Sequence, residues 1–312
     1  MTSIAVSGAT GFVGRHLCPE LLARGHEVRA ISRALLGAAE LAAALEGAAT
    51  VIHLAARAHI THQESADPRP QFWKSNVGVT QTLASAAQRA GVKRFIFVSS
   101  AGVLGASSPP AGFVEEAQPQ PHDPYTESKL QAEQWLHANL DPALGLIVVR
   151  PPLIYGIGAP GNFARLMNLA LKGWPLPVGA LRAPRSLLAV RNLVDLLSTL
   201  APDDRLVRAT LLVADSETTS VAELFQNVST YAGHSLWLAP LPPAFVRFIL
   251  TVAGRGVDVG RLIDPFVVCP RTAQLQFNWV PPYAQQAELR RTVAYELAGP
   301  PLGTDRRVGN DE

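Results

Sequence analysis

Short runs of β-branched and other apolar residues alternate with longer Ala- and Leu-rich segments through the first half of the chain. Polar residues are nearly absent from the runs, which is typical of strands covered on both faces. The longer segments, near 14–24, 76–90 and 124–139, have helical character. This alternation predicts an α/β fold with a Rossmann-like, doubly wound parallel sheet and a ligand crevice beyond the carboxyl ends of its strands. The predicted strands lie at 4–6, 28–31, 51–54, 95–98 and 146–149.

The sequence pattern changes near residue 156, where Gly- and Pro-rich segments predict turns between shorter helices. We therefore expect a dinucleotide-binding Rossmann domain over 1–155 and a smaller, mainly substrate-binding region over 156–298, from which strands can return to the core sheet. Residues 299–312 are charged and rich in glycine, and are expected to form a flexible tail.

Composition excludes several classes of protein. Apolar residues make up 48% of the 312 residues and charged residues 17%, which indicates a packed globular protein. A net charge of +2, without a basic run, argues against nucleic-acid binding. The two cysteines, Cys18 and Cys269, are far apart and lack metal-ligand spacing, so neither a metal site nor a disulfide is expected.

The chain begins directly in a strand pattern without the features of a secretory signal, which predicts a cytoplasmic protein. The apolar stretch 244–253 contains Arg247 and is too short to span a bilayer, so stable membrane insertion is not expected. It is interpreted as a helix of the core or of the substrate region; loose attachment to a membrane face is the alternative.

A glycine-rich loop follows the first predicted strand. Gly8, Gly11 and Gly14 form a GxxGxxG pattern that also contains Phe12 and Val13, and a helix is predicted to open after it at Arg15-His16-Leu17. Glycines at these positions allow a tight turn and let backbone N–H groups approach a pyrophosphate. The loop therefore predicts binding of a dinucleotide; an ordinary turn between strand and helix is the alternative.

The end of the second strand bears on the choice of cofactor. An Asp or Glu at this point usually binds the free ribose hydroxyls of NAD, but the sequence here is Ile31-Ser32-Arg33. A guanidinium suits a 2′-phosphate, so Arg33 favours NADP over NAD. Alternatively, Arg33 is a solvated loop residue.

Tyr125 and Lys129 are spaced one helical turn apart, after an Asp123-Pro124 pair that can start a helix. A free phenol has a pKa near 10, and a neighbouring ammonium favours its phenolate form, which makes Tyr125 a candidate acid and base. Ser100 follows the fourth strand and can donate to the same substrate oxygen. An exposed helix face and a plain turn are the alternatives.

Taken together, these motifs resemble the extended short-chain dehydrogenase/reductase family, of the NAD-dependent epimerase/dehydratase type. Within it they are most similar to nucleotide-sugar 4-epimerases and 4-keto-sugar reductases of bacterial surface polysaccharide synthesis. The resemblance rests on the glycine loop, the segments 53–56, 76–80 and 150–156, and the trio Ser100, Tyr125 and Lys129.

The resemblance implies a role for each matching residue. Ser100, Tyr125 and Lys129 would be catalytic, with Tyr125 and Lys129 also contacting the cofactor. Besides the glycine loop and Arg33, the implied cofactor contacts are Leu54, Ala55, Ala56, Asn76, Ser99, Pro152 and Ile154. The implied substrate contacts are Ser100, Asn162, Phe163, Pro177 and Arg185, with the Arg185 guanidinium as a diphosphate clamp.

The chain departs from the family pattern in three places. Asn192 stands where the epimerases usually have Asp, and an Arg-x-x-Asp diphosphate contact is not recognisable in 255–264. The segment 34–50 is too short for the usual helix, strand and adenine-contacting Asp, which suggests weakened adenine binding or an impaired, non-catalytic family member.

The resemblance implies hydride transfer at C4 of a nucleotide-activated hexose, with a UDP-hexose as the expected partner. Ala101 and Gly102 follow Ser100 and cannot transfer a proton, which disfavours sugar dehydration and leaves a 4-epimerase or a 4-keto reductase. A reductase of a non-sugar ketone is the alternative within the enzymes. The resemblance also implies a homodimer whose interface includes the helix 124–139.

Overall fold

The computed structural model describes residues 1–32, 34–35, 40–57, 67–252, 260 and 263–299. Its first half alternates strands and helices as predicted, and a π-helical turn, Trp73–Gly78, joins two of the helices. The elements are β1 (Ser3–Ser7), α1 (Phe12–Ala23), β2 (Glu27–Ile31), α2 (Glu40–Leu45), β3 (Thr50–His53), α3 (Arg69–Phe72), α4 (Val79–Arg89), β4 (Arg94–Val98), α5 (Pro124–Asn139) and β5 (Gly145–Arg150).

The second half has shorter elements. They are β6 (Leu153–Tyr155), α6 (Gly161–Leu171), β7 (Arg185–Ala189), α7 (Val190–Leu200), β8 (Arg208–Leu212), β9 (Thr218–Thr219), α8 (Val221–Tyr231), α9 (Pro243–Val252), α10 (Thr272–Phe277) and α11 (Gln285–Ala298). Strands β6, β7 and β9 form a small separate sheet. None of the helices in the described ranges is long and apolar enough to cross a bilayer.

The main sheet has six parallel strands in the order β2-β1-β3-β4-β5-β8. Alternate residues of a strand point to opposite faces, and here both faces are covered. Ile52, Ile96 and Ile147 pack on the side of α1 and α7, whereas Phe95 and Val148 pack on the side of α4 and α5. This explains the continuous apolar runs in the sequence and confirms the predicted fold class.

The chain after residue 156 contributes to both parts of the molecule. Strand β8 extends the main sheet beside β5, and α7 packs on the same face as α1. A separate apolar cluster, which includes Tyr155, Phe163 and Phe225, joins α6, α8 and α11. Because β8 and α7 belong to the main core, the division at residue 156 does not separate two independent cores.

Strand β2 is the outer strand on its side of the sheet within the described part of the chain. Among the described residues between β2 and β3 there is the helix α2 and no strand, and β3 pairs with the other side of β1. This agrees with the expectation from the short segment 34–50. Arg33, the residue on which the cofactor preference depends, lies outside the described residues, as do most of 255–264 and nearly all of the predicted tail.

Candidate active site

A crevice is expected where the chain reverses direction across the sheet. From β1 the chain first adds β2 on one side and then β3 on the other, so the carboxyl ends of β1 and β3 border the point of reversal. Ligands of open α/β sheets bind at such points. The glycine loop follows β1, and Ser100 follows β4, two strands away.

Side chains at the three glycines of the loop would be crowded by backbone atoms. Gly8 has a φ of 74°, and a Cβ there would lie 2.8 Å from the Ala55 nitrogen. A Cβ on Gly14 would lie 2.2 Å from the Gly8 oxygen, and one on Gly11 3.2 Å from the same oxygen. Helix α1 begins at Phe12 without a side-chain cap and without an acidic residue in its first turn. The helix N-terminus therefore keeps its partial positive charge available to an anion.

A buried histidine connects the glycine loop to the interior. Both ring nitrogens of His53 are hydrogen-bonded, Nδ1 with the Ser7 hydroxyl (2.5 Å) and Nε2 with the Thr80 hydroxyl (2.9 Å). Because Thr80 donates its hydrogen to the Asn76 carbonyl (2.6 Å), its oxygen accepts from Nε2–H of His53, and Ser7 donates to Nδ1. Burial, followed by the charge of Lys129, lowers the pKa of His53 to about 3, so the ring is neutral.

Asn76 lies in the π-helical turn and joins two parts of the crevice. Its side-chain oxygen accepts from the Arg57 nitrogen (2.8 Å), and Nδ2 donates to the Arg57 carbonyl (3.1 Å) and to the Ser128 hydroxyl (2.9 Å). Ser128 in turn donates to the Tyr125 carbonyl (2.7 Å). Asn76 thereby holds the segment after β3 against α5.

Helix α5 starts at Pro124, where a capping box defines its first turn. Asp123 accepts from the Thr126 nitrogen (2.7 Å), and the Thr126 hydroxyl accepts from the Asp123 nitrogen (3.2 Å). Tyr125 is therefore the second residue of the helix. Its ring is half-buried and meets the ring of Phe72 edge to face, with centroids 6.2 Å apart. The cap and the aromatic contact orient the ring of Tyr125.

Lys129 is completely buried one turn after Tyr125. Its Nζ donates to the Val98 carbonyl at the end of β4 (2.8 Å) and lies 4.6 Å from the centre of the Phe97 ring. Burial lowers the pKa of Lys129 to about 7, although the charge of Glu133 opposes this shift. At neutral pH the amine is therefore close to the midpoint of its titration.

Ser100 lies two residues beyond the Lys129 contact. Its hydroxyl accepts from the Gly102 nitrogen (3.1 Å) and caps a short 3-10 turn, Ala101–Leu104. A Cβ on Gly102 would lie 2.9 Å from the Thr126 side chain and 3.2 Å from the Ser100 hydroxyl. The start of α5 and the Ser100 hydroxyl thus pack around Gly102, which brings Ser100, Tyr125 and Lys129 to the same end of β4.

An ion pair behind Lys129 was not predicted from the sequence. Glu133 follows Lys129 by one turn, and its carboxylate accepts from Nε (3.1 and 3.2 Å) and Nη2 (2.5 Å) of Arg150. Both side chains are buried. The i,i+4 spacing of Lys129 and Glu133 on a buried helix face was the available signal, but the partnership with Arg150 requires knowledge of the fold.

Further residues predicted to contact the cofactor lie in or beside the segment that follows β4. The Pro151 carbonyl accepts from the Ala101 nitrogen (2.8 Å), so the segment of Pro152 and Ile154 runs beside the residues that follow β4. The hydroxyl of Ser99 is buried and has no hydrogen-bond partner among the described residues.

The predicted substrate residues are spread over the second half. Arg185 begins β7, and its Nη1 donates to the Asp264 carbonyl (2.6 Å). Asn162 is exposed in the first turn of α6, and Pro177 is exposed in the loop after this helix. The Phe163 ring is buried, 5.5 Å from that of Tyr155, so its backbone is the part available to a ligand.

Asn192 has a structural setting that accounts for its departure from the family pattern. It is buried and donates to the Asp215 carboxylate (2.7 Å) and the Tyr283 carbonyl (2.9 Å). Asp215 also accepts from the Tyr155 hydroxyl (2.9 Å), and burial raises its pKa. An Asp at position 192 would place a second carboxylate against that of Asp215, whereas the amide supplies a donor.

Comparison with known proteins identifies the family. Residues 4–209 match the model of the NAD dependent epimerase/dehydratase family. The chain belongs to this family. It is 32% identical over 308 residues to a Vibrio cholerae protein named UDP-glucose 4-epimerase, covering 93% of this chain and 94% of that protein. The family is part of the extended short-chain dehydrogenases, which confirms the resemblance drawn from the sequence motifs.

Two further relatives indicate the range of related proteins. A Mycobacterium tuberculosis protein named 3 beta-hydroxysteroid dehydrogenase/Delta 5-->4-isomerase is 30% identical, with 80% of this chain and 74% of that protein covered. The solved structure of a Bacillus cereus UDP-glucuronic acid 4-epimerase in complex with NAD has a TM-score of 0.76 at 19% identity, covering 95% of this chain and 99% of that one. The structural likeness supports the fold.

The residues present fit a dinucleotide. A Cβ on Gly8 or Gly14 would collide with backbone atoms and one on Gly11 would be tightly contacted, and the uncapped start of α1 directly follows Gly11. The loop and the helix start fit the pyrophosphate of a dinucleotide, in keeping with the NAD dependent family to which the chain belongs.

Proposed function

We propose that the protein is an NAD(P)-dependent oxidoreductase that acts at C4 of a nucleotide-activated hexose, as a UDP-sugar 4-epimerase or a 4-keto reductase. The observation that carries the proposal is that Lys129, one turn after Tyr125, donates to the Val98 carbonyl at the end of β4, two residues before Ser100. The full-length similarity to a protein named UDP-glucose 4-epimerase supports the choice of substrate class.

In this mechanism Tyr125 exchanges a proton with the C4 oxygen of the sugar, and Ser100 donates a hydrogen bond to the same oxygen. The positive charge of Lys129 favours the phenolate form of Tyr125. A bound nicotinamide supplies the acceptor or donor of the hydride. Ala101 is fully buried and Gly102 packs against Thr126, so neither position offers a group for the proton transfers of dehydration.

The two reactions at C4 are distinguished by their use of cofactor. The purified protein is incubated with UDP-glucose, UDP-galactose, their N-acetyl forms and a UDP-4-keto hexose, with and without added NAD(P)H, and the C4 configuration of the products is determined. Inversion without net consumption of cofactor indicates an epimerase. Stoichiometric consumption of NAD(P)H with a 4-keto sugar indicates a reductase. Absence of conversion and of UDP-sugar binding would contradict the substrate class.

A reductase of a non-sugar ketone is a second candidate, favoured by the similarity to the mycobacterial protein named as a hydroxysteroid dehydrogenase. UDP separates the two candidates because a nucleotide-sugar site binds it and is stabilised by it. We expect UDP to raise the unfolding midpoint of the parent protein and to do so less in Arg185→Ala. Turnover of steroids without any effect of UDP would favour the second candidate.

For the cofactor we propose a preference for NADP. The second strand ends in Ile31-Ser32-Arg33 without an acidic residue for the ribose hydroxyls. Arg33→Asp should lower the ratio of NADP to NAD affinity by about tenfold or more, because it replaces a phosphate-pairing cation by a carboxylate. The two dissociation constants are measured by nucleotide fluorescence, with Arg24→Ala as a control. An unchanged ratio would remove Arg33 from the cofactor site.

A further inference from the structure

Four aromatic side chains of the second half point into solvent. Trp174 is 64% exposed, Trp237 66%, Phe245 49% and Phe248 64%. The Leu176 nitrogen donates to the Trp237 carbonyl (3.1 Å), so the chain segments that contain the two tryptophans run side by side. Helix α9, which contains the two phenylalanines, begins shortly after Trp237. We call these four residues the aromatic surface.

The segments that present the aromatic surface are packed on the protein by their other side. Leu176, Leu238 and Leu241 contact the apolar cluster under α6 and α8, and Val246 of α9 is 4% exposed within the same cluster. Large aromatic residues are therefore exposed on well-anchored segments, although buried apolar positions lie next to them. Large exposed apolar groups presented by segments that share one underlying cluster indicate an interaction site.

The segments that present the aromatic surface contain basic residues and no acidic residues, which favours an anionic partner. Residues 142–194 and 224–252 contain no Asp or Glu. Lys172 lies 5.2 Å over the Trp174 ring, and Arg182 is exposed in the loop that pairs with the segment after Trp237. Arg247 of α9 is half-exposed and pairs with Asp264 (2.8 Å).

We propose that the aromatic surface attaches the protein to an anionic lipid bilayer. Tryptophan beside Lys and Arg is the composition of the membrane interface, where the ring enters the headgroup region and the cation meets lipid phosphate. A short helix that exposes aromatic rings, as α9 exposes Phe245 and Phe248, can bind there without crossing the bilayer. A protein partner fits less well because lysine is depleted in protein interfaces, whereas Lys172 stacks on the aromatic surface itself.

The attachment places the lipid next to the second half of the chain. Trp174 directly precedes the segment that contains Pro177, so the bilayer would lie beside the part of the molecule expected to hold the substrate. The inference does not depend on catalysis, because lipid binding is measured without turnover.

Co-sedimentation of the full chain with vesicles tests the inference. Vesicles of phosphatidylglycerol and phosphatidylcholine in equal parts should bind the protein at low salt, and vesicles of phosphatidylcholine alone should bind it much less. The double variant Trp237→Ser/Phe248→Ser should lower the partition coefficient by about tenfold or more, because both rings leave the interface. Leu275→Ser is the matched control, since Leu275 is 82% exposed on α10 and lies outside the aromatic surface.

Several results would overturn the inference. One is that the parent protein stays in the supernatant with anionic vesicles. Another is that Leu275→Ser loses as much vesicle binding as the double variant. A change of the double variant from dimer to monomer, with vesicle binding unaltered, would assign the surface to a second copy of the chain. Thermal unfolding of each variant establishes that it is folded. Tyr125→Phe should bind vesicles like the parent, so failure of the proposed reaction and failure of membrane attachment are distinguishable.

Discussion

Tyr125→Phe should lower turnover by about 10³-fold while leaving the affinity for NAD(P) close to that of the parent. General acid–base catalysis contributes about 10² to 10⁴ in rate, and the variant removes the only atom of Tyr125 that can carry a proton. The ring remains, so its edge-to-face contact with Phe72 persists. The capping box at Asp123 and Thr126 uses neither the ring nor the hydroxyl and keeps the helix start in place.

Tyr155→Phe provides the matched control. The Tyr155 hydroxyl is buried and donates to Asp215 (2.9 Å) and to the Gln285 carbonyl (3.2 Å), away from the trio at β4. Its removal leaves buried acceptors short of a donor and should cost about 1–3 kcal/mol of stability. Turnover with substrate and binding of NAD(P) are measured for both variants, together with thermal unfolding. Parent-like turnover in Tyr125→Phe would show that Tyr125 is not the acid and base.

Much of the fold could be predicted from local sequence patterns. The continuous apolar runs predicted strands buried on both faces, and the structure places them in one parallel sheet. The Asp123-Pro124 pair predicted the start of α5, because proline suits the first turn of a helix. The glycine loop was recognisable because steric exclusion acts between neighbouring residues, such as Gly8 and Gly14.

The buried hydrogen bonds and the ion pair of the site could not be predicted from local sequence patterns. His53 forms hydrogen bonds with Ser7 and Thr80. Glu133 forms an ion pair with Arg150. In each case the partners lie on different helices or strands. No periodicity specifies such pairs, since they depend on the order of strands and on which helix face is buried. His53 was noted as part of a motif, but its neutral state follows from the two hydrogen bonds and from its burial.

The candidate substrate-binding residues were the hardest to predict from local sequence patterns. Asn162, Pro177 and Arg185 were assigned by resemblance alone, and they lie on separate elements of the second half. Arg185 shares the Asp264 region with Arg247, one through the backbone carbonyl and the other through the carboxylate. Their roles remain proposals that the UDP experiments test.

Lys129→Met should abolish most turnover and also remove a pH dependence of stability. Burial lowers the pKa of Lys129 to about 7 in the folded protein, whereas an unfolded lysine titrates near 10.4. Between these values the unfolded chain binds more protons than the folded protein, so the free energy of unfolding rises with pH. From pH 7 to pH 9 the parent should gain on the order of 2 kcal/mol from this residue.

Methionine has a similar length and no charge, so the variant should lack this gain. Glu133 retains Arg150 as its partner, and His53 is already neutral, so neither neighbour replaces the missing titration. Denaturant unfolding of the cofactor-free parent and variant at pH 7, 8 and 9 measures the difference in slope. Equal slopes would show that the amine of Lys129 keeps an ordinary pKa in the folded protein. In that case Lys129 would be fully charged at neutral pH, and its support of the Tyr125 phenolate would not change across this range.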